Sequence, residues 1–244
     1  MEPFVIEISD IVIGVQPMFT STREYCKRYL SERTPDYHVV VTRDDLAFEQ
    51  RQLEKEAVEQ HIRPRIFPEP FLERATILRK TAELLLRSRT LLLHGSTVGV
   101  EGAAYLFTAP CGTGKSTHTR LWRQVFGEKV VMINDDKAFL SFSDGTVYAC
   151  GSPWSGKHGL DTNIQLPLKG ICVIGRGADN RIARIGGEDV LPLLREQLLG
   201  YTVPEDIATA NALLEQLVNC VPVWDLVCNM EPEAAMVSYR AMSF

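Results

Sequence analysis

Long apolar runs are missing from this sequence. Its apolar stretches, among them residues 91–93, 130–133 and 171–174, fall well below the about 18 residues that indicate a membrane-spanning helix. The N-terminal segment has neither a basic cluster nor an uninterrupted apolar stretch, so the sequence predicts no secretory signal. We therefore expect a cytoplasmic protein that does not bind membranes.

Paired cysteine motifs and an excess of basic residues are also missing. The six cysteines form no C-x-x-C pair and have no zinc-ligand spacing, so we expect reduced thiols, most of them buried. Lys and Arg number 26 against 31 Asp and Glu, which gives a net charge of −5. Because a nucleic-acid phosphate track needs a basic face, no nucleic-acid partner is expected.

No internal repeat divides the 244 residues, and their hydrophobic content of 45% is enough for a sizeable core. We interpret residues 1–89 as a small elaboration of strands and helices that packs against the main domain. Short apolar or alternating stretches predict strands at 4–15, 36–42, 91–94, 104–108, 130–133, 139–142, 146–150, 168–175 and 221–227. Longer amphipathic stretches predict helices at 44–60, 69–89, 116–126, 187–200, 204–219 and 232–242.

A glycine-rich segment follows the strand predicted at 104–108. Residues 109–116 match the phosphate-binding pattern G-x-x-x-x-G-K-[ST], except that Ala109 stands in the first position. Gly112 and Gly114 allow backbone conformations closed to other residues, so that successive N–H groups can point at phosphate oxygens. The predicted nucleotide-binding residues are Cys111, Gly112, Thr113, Gly114, Lys115, Ser116 and Thr117. The alternative is a loop that keeps the fold without the ligand.

Lys115 and Ser116 have distinct expected tasks in this loop. Lys115 supplies a positive charge for the β- and γ-phosphates, and the Ser116 hydroxyl is placed to bind Mg²⁺. The helix predicted at 116–126 adds a favourable dipole at the same point. The sequence therefore predicts a magnesium nucleotide as the ligand.

Two adjacent carboxylates follow the next buried strand. Asp135 and Asp136 come directly after the strand predicted at 130–133, at the end where α/β folds bind ligands. One carboxylate can hold Mg²⁺ while the other accepts a proton from an attacking hydroxyl. The alternative is a solvated acidic turn.

His94 ends the strand predicted at 91–94. A hairpin that turns at Glu101 and Gly102 pairs residues whose numbers add up to about 203, and this register places His94 across from Ala109. An imidazole there could contact the γ-phosphate or a neighbouring carboxylate. A structural histidine at a strand end is the alternative.

In this order and spacing, His94-Gly95, the hairpin, the loop at 111–116 and Asp135-Asp136 resemble the catalytic domain of HPr kinase/phosphorylase. That fold is related to phosphoenolpyruvate carboxykinase. The resemblance covers residues 90–180. It implies an α/β P-loop fold with a mixed β-sheet. We assign residues 90–244 to this nucleotide-binding catalytic domain and residues 1–89 to an N-terminal α+β elaboration.

The resemblance also implies roles for individual residues. His94 and Asp135 would serve proton transfer, Lys115 would hold the phosphates of ATP, and Ser116 and Asp136 would bind Mg²⁺. The segment at 151–158 borders the active site in the related fold, which makes Trp154 and Lys157 candidates for contact with the acceptor. A packed tryptophan in an exposed loop is the alternative.

The implied activity is an ATP- and Mg²⁺-dependent kinase that phosphorylates a hydroxyl, with a serine of a small protein or peptide as the expected acceptor. The related kinases assemble as oligomers, so the resemblance allows a homo-oligomer, but the sequence itself does not reveal the oligomeric state. Thr117 stands where the family usually has Glu, which argues against the reverse reaction. Two alternatives stay open: a small-molecule hydroxyl kinase, and a nucleotide-binding regulatory module without turnover.

Overall fold

The computed structural model describes residues 1–59 and 61–243, and it has a mixed α/β architecture. The strands are β1 (Phe4–Ile8), β2 (Ile11–Gln16), β3 (Tyr37–Val40), β4 (Thr90–His94), β5 (Ser96–Val100), β6 (Ala103–Thr108), β7 (Val130–Asn134), β8 (Lys137–Ser143), β9 (Thr146–Cys150), β10 (Gln165–Arg176), β11 (Arg181–Ile185) and β12 (Val223–Cys228). The helices are α1 (Thr20–Tyr25), α2 (Arg43–Glu59), α3 (Glu69–Arg87), α4 (Lys115–Phe126), α5 (Gly187–Arg195), α6 (Pro204–Cys220) and α7 (Glu233–Met242).

The larger sheet brings four strand ends to one edge. Its strand order is β4-β8-β9-β10-β6-β5-β7, with β12 beside β10 and β11 beside β12. Strands β6, β10 and β12 pair in parallel. Strand β7 runs in their direction because β6 and β7 are both antiparallel to β5. The carboxyl ends of these four strands therefore share one edge, where ligands of α/β proteins bind.

Three apolar clusters hold the layers together. Helices α5 and α6 cover one face of the larger sheet, and α4 and α7 cover part of the other around Trp122 and Trp224. The third cluster joins the small sheet β1-β2-β3 and helix α3 to Leu92, Phe139 and Trp154 of the main sheet region. The N-terminal elaboration thus shares its core with residues beyond 89. No helix among residues 1–59 and 61–243 combines the length and apolarity needed to cross a membrane.

The predicted α/β class with a mixed sheet is confirmed, while several element predictions need correction. The helix predicted at 44–60 reaches a residue outside the described part, and α2 is observed as Arg43–Glu59. The helix predicted at 187–200 ends at Arg195. Helix α1 and edge strand β11 were not predicted, because α1 has only 6 residues and β11 alternates with exposed polar side chains.

The hairpin prediction is correct at its turn and wrong at its first strand. Strands β5 and β6 pair with Ser96 opposite Phe107, and Glu101 and Gly102 both have positive φ, as the tight turn requires. Strand β4, however, pairs with β8, so His94 lies opposite Lys137 rather than Ala109. Gly95 connects β4, which pairs with β8, to β5, which pairs with β6. A Cβ atom at this position would come within 2.6 Å of the Leu106 side chain.

Candidate functional site

The glycine-rich loop connects β6 to α4 with the backbone geometry that its glycines permit. Gly112 has φ of 77° and Gly114 has φ of 131°, conformations that L-residues with a side chain rarely adopt. Ala109 is buried and is not among the described residues with positive φ, so its methyl group costs no backbone strain. The loop leads directly into the first turn of α4. The backbone N–H groups of that turn have no partner within the helix and favour an anion.

Lys115 lies buried inside this loop. Its Nζ atom donates to the carbonyl oxygen of Ala109 at 2.9 Å. Burial lowers the pKa of Lys115 from its ordinary value, while Cys111, Asp136 and Asp135 oppose the shift. The lysine is thus a partly desolvated cation, which interacts more strongly with a phosphate than an exposed lysine does.

Arg176 braces the loop from the end of β10. Its Nε atom donates to the carbonyl oxygen of Thr113 at 2.9 Å, and its Nη2 atom donates to that of Gly112. Both contacts span more than 60 residues of sequence. Sequence analysis missed this residue, because no local motif links the end of one strand to a loop that follows another.

Asp135 is buried against the first turns of α4. Its Oδ1 atom accepts a hydrogen bond of 2.6 Å from the Ser96 hydroxyl, which lies 2.9 Å from the Thr119 hydroxyl. Because the Ser96 proton goes to Asp135, the Thr119 hydroxyl of α4 is the donor to Ser96 Oγ. Asp135 is therefore linked through two hydroxyls to the helix that carries Ser116.

Asp136 pairs with His94 and Lys137. The His94 Nε2 atom lies 3.2 Å from Asp136 Oδ1, and the Lys137 Nζ atom lies 2.7 Å from Asp136 Oδ2. Burial alone would raise the pKa of Asp136, but the hydrogen bond from His94 and the positive charge of Lys137 outweigh it and lower the pKa to about 2. His94 thus contacts Asp136, whereas the resemblance implies that it acts together with Asp135.

Asn134 fixes the turn that carries both carboxylates. Its Oδ1 atom accepts hydrogen bonds from the backbone N–H groups of Asp136 and Lys137, at 2.8 and 2.6 Å. Its Nδ2 atom donates to the Ser152 carbonyl and hydroxyl oxygens, at 3.0 and 2.9 Å. The fully buried amide therefore holds the turn against the segment at 151–158. A buried asparagine at a strand end was the available sequence signal, and sequence analysis missed it.

One cavity of about 830 Å³ brings most of the predicted site residues together. Its lining includes His94, Cys111, Gly112, Gly114, Lys115, Ser116, Thr117, Asp135, Asp136 and Lys157. Thr113 lies instead in a second cavity of about 420 Å³, between the loop and the ends of β10 and β12. Trp154 is packed, with 5% of its surface exposed, and its Nε1 atom donates to the Arg74 carbonyl oxygen at 2.9 Å.

Comparison with solved structures gives only distant likenesses. The chain is similar to the HPr(Ser) kinase/phosphatase from Coxiella burnetii, with 7% sequence identity and a TM-score of 0.36. The likeness covers 62% of this chain and 94% of that one. No protein-family profile and no curated protein sequence matches the chain. Similarity at this level is distant and says nothing of this chain's activity.

The donor set around the cavity fits a magnesium ion. Ser116, Asp135 and Asp136 supply hydroxyl and carboxylate oxygens, which Mg²⁺ prefers as ligands. In the described part of the chain, no group of three or more His, Cys, Asp or Glu side chains is arranged to hold a metal.

The low pKa of Asp136 predicts a pH-dependent contribution to stability. Because its pKa of about 2 lies below the ordinary value of 3.8, the ionised carboxylate stabilises the fold above about pH 4, by at most ~2 kcal/mol. This contribution disappears as the pH falls toward about 2. Urea unfolding of the wild type and Asp136→Asn should show a gap in the free energy of unfolding that is widest above about pH 4.

Asp179→Asn is the matched control, since Asp179 is exposed in the loop after β10. The control variant should follow the wild type at every pH. A gap between the wild type and Asp136→Asn that stays constant from about pH 7 to about pH 3 would contradict this account of the Asp136 ion pair.

Proposed function

We propose that this protein is an ATP- and Mg²⁺-dependent phosphotransferase that phosphorylates a hydroxyl group. The observation that carries the proposal is the single cavity into which the glycine-rich loop, Lys115, the two carboxylates and His94 all converge. Each has a task in phosphoryl transfer, which depends mostly on positioning the reactants and stabilising charge.

The nucleotide would lie across the two neighbouring cavities. The loop backbone and Lys115 would hold the β- and γ-phosphates in the larger cavity. The 420 Å³ cavity on the other side of the loop is lined by the apolar side chains of Leu121, Ile174 and Met230. A pocket of this size and character fits a nucleoside base, so ATP would lie with its base there and its γ-phosphate toward His94.

Ser116 and Asp135 are the residues that would hold Mg²⁺. The chain of hydroxyls from Asp135 through Ser96 and Thr119 fixes this carboxylate against the helix that starts with Lys115 and Ser116. Bound there, the ion would neutralise charge on the phosphates. Asp135 thereby takes the metal-side role that the resemblance gives to Asp136.

The His94–Asp136 pair would accept the proton of the attacking hydroxyl. A carboxylate with a pKa of about 2 is a weak base by itself, but it can orient an imidazole and stabilise the imidazolium that forms, as in other carboxylate–histidine pairs. His94 and Asp136 both line the cavity of the loop. In this proposal the pair would lie near the hydroxyl that meets the γ-phosphate.

The test compares ATP binding and turnover in the wild type and in Asp135→Asn. Calorimetry measures the affinity for ATP with and without Mg²⁺, and transfer of the labelled γ-phosphoryl group to hydroxyl acceptors measures turnover. We expect Mg²⁺-dependent binding, and turnover that Asp135→Asn strongly reduces at limiting Mg²⁺. If the wild type binds ATP and Mg²⁺ tightly but turns over no faster than the variant, the protein is a nucleotide-binding module and the proposed activity is wrong.

A further inference from the structure

A third cavity adjoins the phosphate-binding cavity at Asp136. It measures about 360 Å³ and shares Phe71, Asp136, Gly156 and Lys157 with the larger cavity. We call it the acceptor cavity. It lies between the N-terminal elements α1 and α3 and the segment at 154–157. A compound bound in it would contact Asp136, which lines both cavities.

The walls of the acceptor cavity are largely aromatic. Tyr25 of α1, Phe71 of α3 and Trp154 all line it, together with apolar side chains of α3. Trp154 is fixed by the hydrogen bond of its Nε1 atom to the α3 backbone and by an edge-on contact with Phe139. Such walls favour a ligand with an apolar or aromatic body.

Arg74 and Lys157 contribute cationic side chains to the acceptor cavity. The Arg74 guanidinium lies 4.8 Å from the centre of the Tyr25 ring. In residues 1–59 and 61–243, no carboxylate oxygen lies within the 4.0 Å salt-bridge distance of Arg74 or Lys157. A guanidinium that lies over an aromatic ring can still donate two parallel hydrogen bonds to a carboxylate.

The size of the cavity limits what can occupy it. A volume of about 360 Å³ is near the lower end of the roughly 300–1,000 Å³ typical of small-molecule pockets. We propose that the acceptor is a small hydroxy acid with an apolar or aromatic body, whose carboxylate pairs with Arg74 and whose hydroxyl faces the γ-phosphate beside Asp136. This inference rests on the proposed phosphotransferase activity and names its substrate class.

In the proposed reaction, the γ-phosphoryl group of ATP is transferred to the hydroxyl of the acceptor. The hydroxyl oxygen of the acceptor forms a bond to the γ-phosphorus, and its proton passes to the His94–Asp136 pair. The bond between the γ-phosphorus and the bridging oxygen breaks, and its electron pair leaves with ADP. The products are ADP and the phosphate monoester of the hydroxy acid.

The experiment uses two probes that differ only in charge, 3-phenyllactate and 3-phenyllactamide. Calorimetry measures the binding of each to the full chain, and label transfer from ATP measures the phosphorylation of each. We expect the wild type to favour the carboxylate by about 10-fold or more, the value of a hydrogen-bonded charge. Arg74→Met should reduce this preference nearly to one and leave ATP affinity unchanged, and Arg74→Lys should keep part of it.

Arg87→Met is the matched control, since Arg87 is an exposed arginine of the same helix and does not line the acceptor cavity. It should retain the full preference. Equal binding of the two probes by the wild type would overturn the inference, as would label transfer to the peptide Gly-Gly-Ser-Gly-Gly-amide but not to 3-phenyllactate. Failure of the wild type to bind ATP would instead overturn the phosphotransferase proposal, because the preference for the carboxylate is measured independently of ATP.

Discussion

Replacing Lys115 with Met is expected to lower the affinity for ATP with Mg²⁺ by about 10- to 100-fold, the value of charge-assisted hydrogen bonds. Phosphoryl transfer should fall by a further ~10²- to 10³-fold, because the same charge would stabilise the transition state. The physical reason is the position of the Lys115 ammonium, buried in the loop and held by the Ala109 carbonyl. Calorimetry and label transfer measure the two effects separately.

The free energy of unfolding distinguishes a specific loss of ATP binding in Lys115→Met from misfolding of the variant. Burial already disfavours the charged form of Lys115, so a methionine of similar length should leave the free energy of unfolding unchanged or raise it. Lys129→Met is the control, because Lys129 follows α4 with 71% of its side chain exposed. Retention of full ATP affinity by Lys115→Met would show that the loop does not bind phosphate in this way.

Replacing Asp136 with Asn is expected to lower kcat by about 10²- to 10⁴-fold, the range for removing a general base. The affinity for ATP should change only a few-fold, since Asp136 is assigned to the hydroxyl rather than to the nucleotide. His94→Gln should give a similar loss. Because the two side chains act as one unit, the double variant should be little slower than either single one.

Asp135→Asn is the matched comparison, one residue away and identical in chemistry. Its main effect should be a higher Mg²⁺ concentration for half-maximal rate, because Asp135 is assigned to the metal side. Titrations with Mg²⁺ and kinetics at saturating Mg²⁺ resolve the two patterns. If Asp136→Asn instead changes the Mg²⁺ requirement, the assignment of the two carboxylates is reversed. Asp135 and Asp136 would then have the roles that the resemblance implies.

The glycine-rich loop was the part of the candidate site most open to prediction from sequence. Its glycines, Lys115 and Ser116 are neighbours in the chain, and their required backbone conformations depend on local sterics. The β5–β6 turn was likewise predictable, because Glu101 and Gly102 determine it locally. Both the loop and the register of the β5–β6 hairpin could therefore be predicted from residues that are neighbours in the sequence.

Contacts between distant segments were beyond the reach of the sequence. The partner of His94 depends on β4 pairing with β8 instead of β6, a choice made by the packing of whole sheets rather than by residues near position 94. The acceptor cavity is another case, since Tyr25, Arg74 and Trp154 come from three separate segments. No periodicity in the chain relates such positions to one another.

The shared core beneath the acceptor cavity has a consequence for any exchange of residues 1–89. Tyr25 and Arg74 belong to residues 1–89, while the glycine-rich loop, His94 and both carboxylates belong to the rest of the chain. Arg28 and Tyr29 also bond to the buried Asp161 carboxylate, at 2.5 and 3.1 Å, as does Ser155. Exchange of residues 1–89 for another segment would therefore leave the glycine-rich loop, His94 and both carboxylates in place but replace part of the acceptor cavity. It would also remove the Arg28 and Tyr29 partners of the buried Asp161 carboxylate, which the new segment would have to supply.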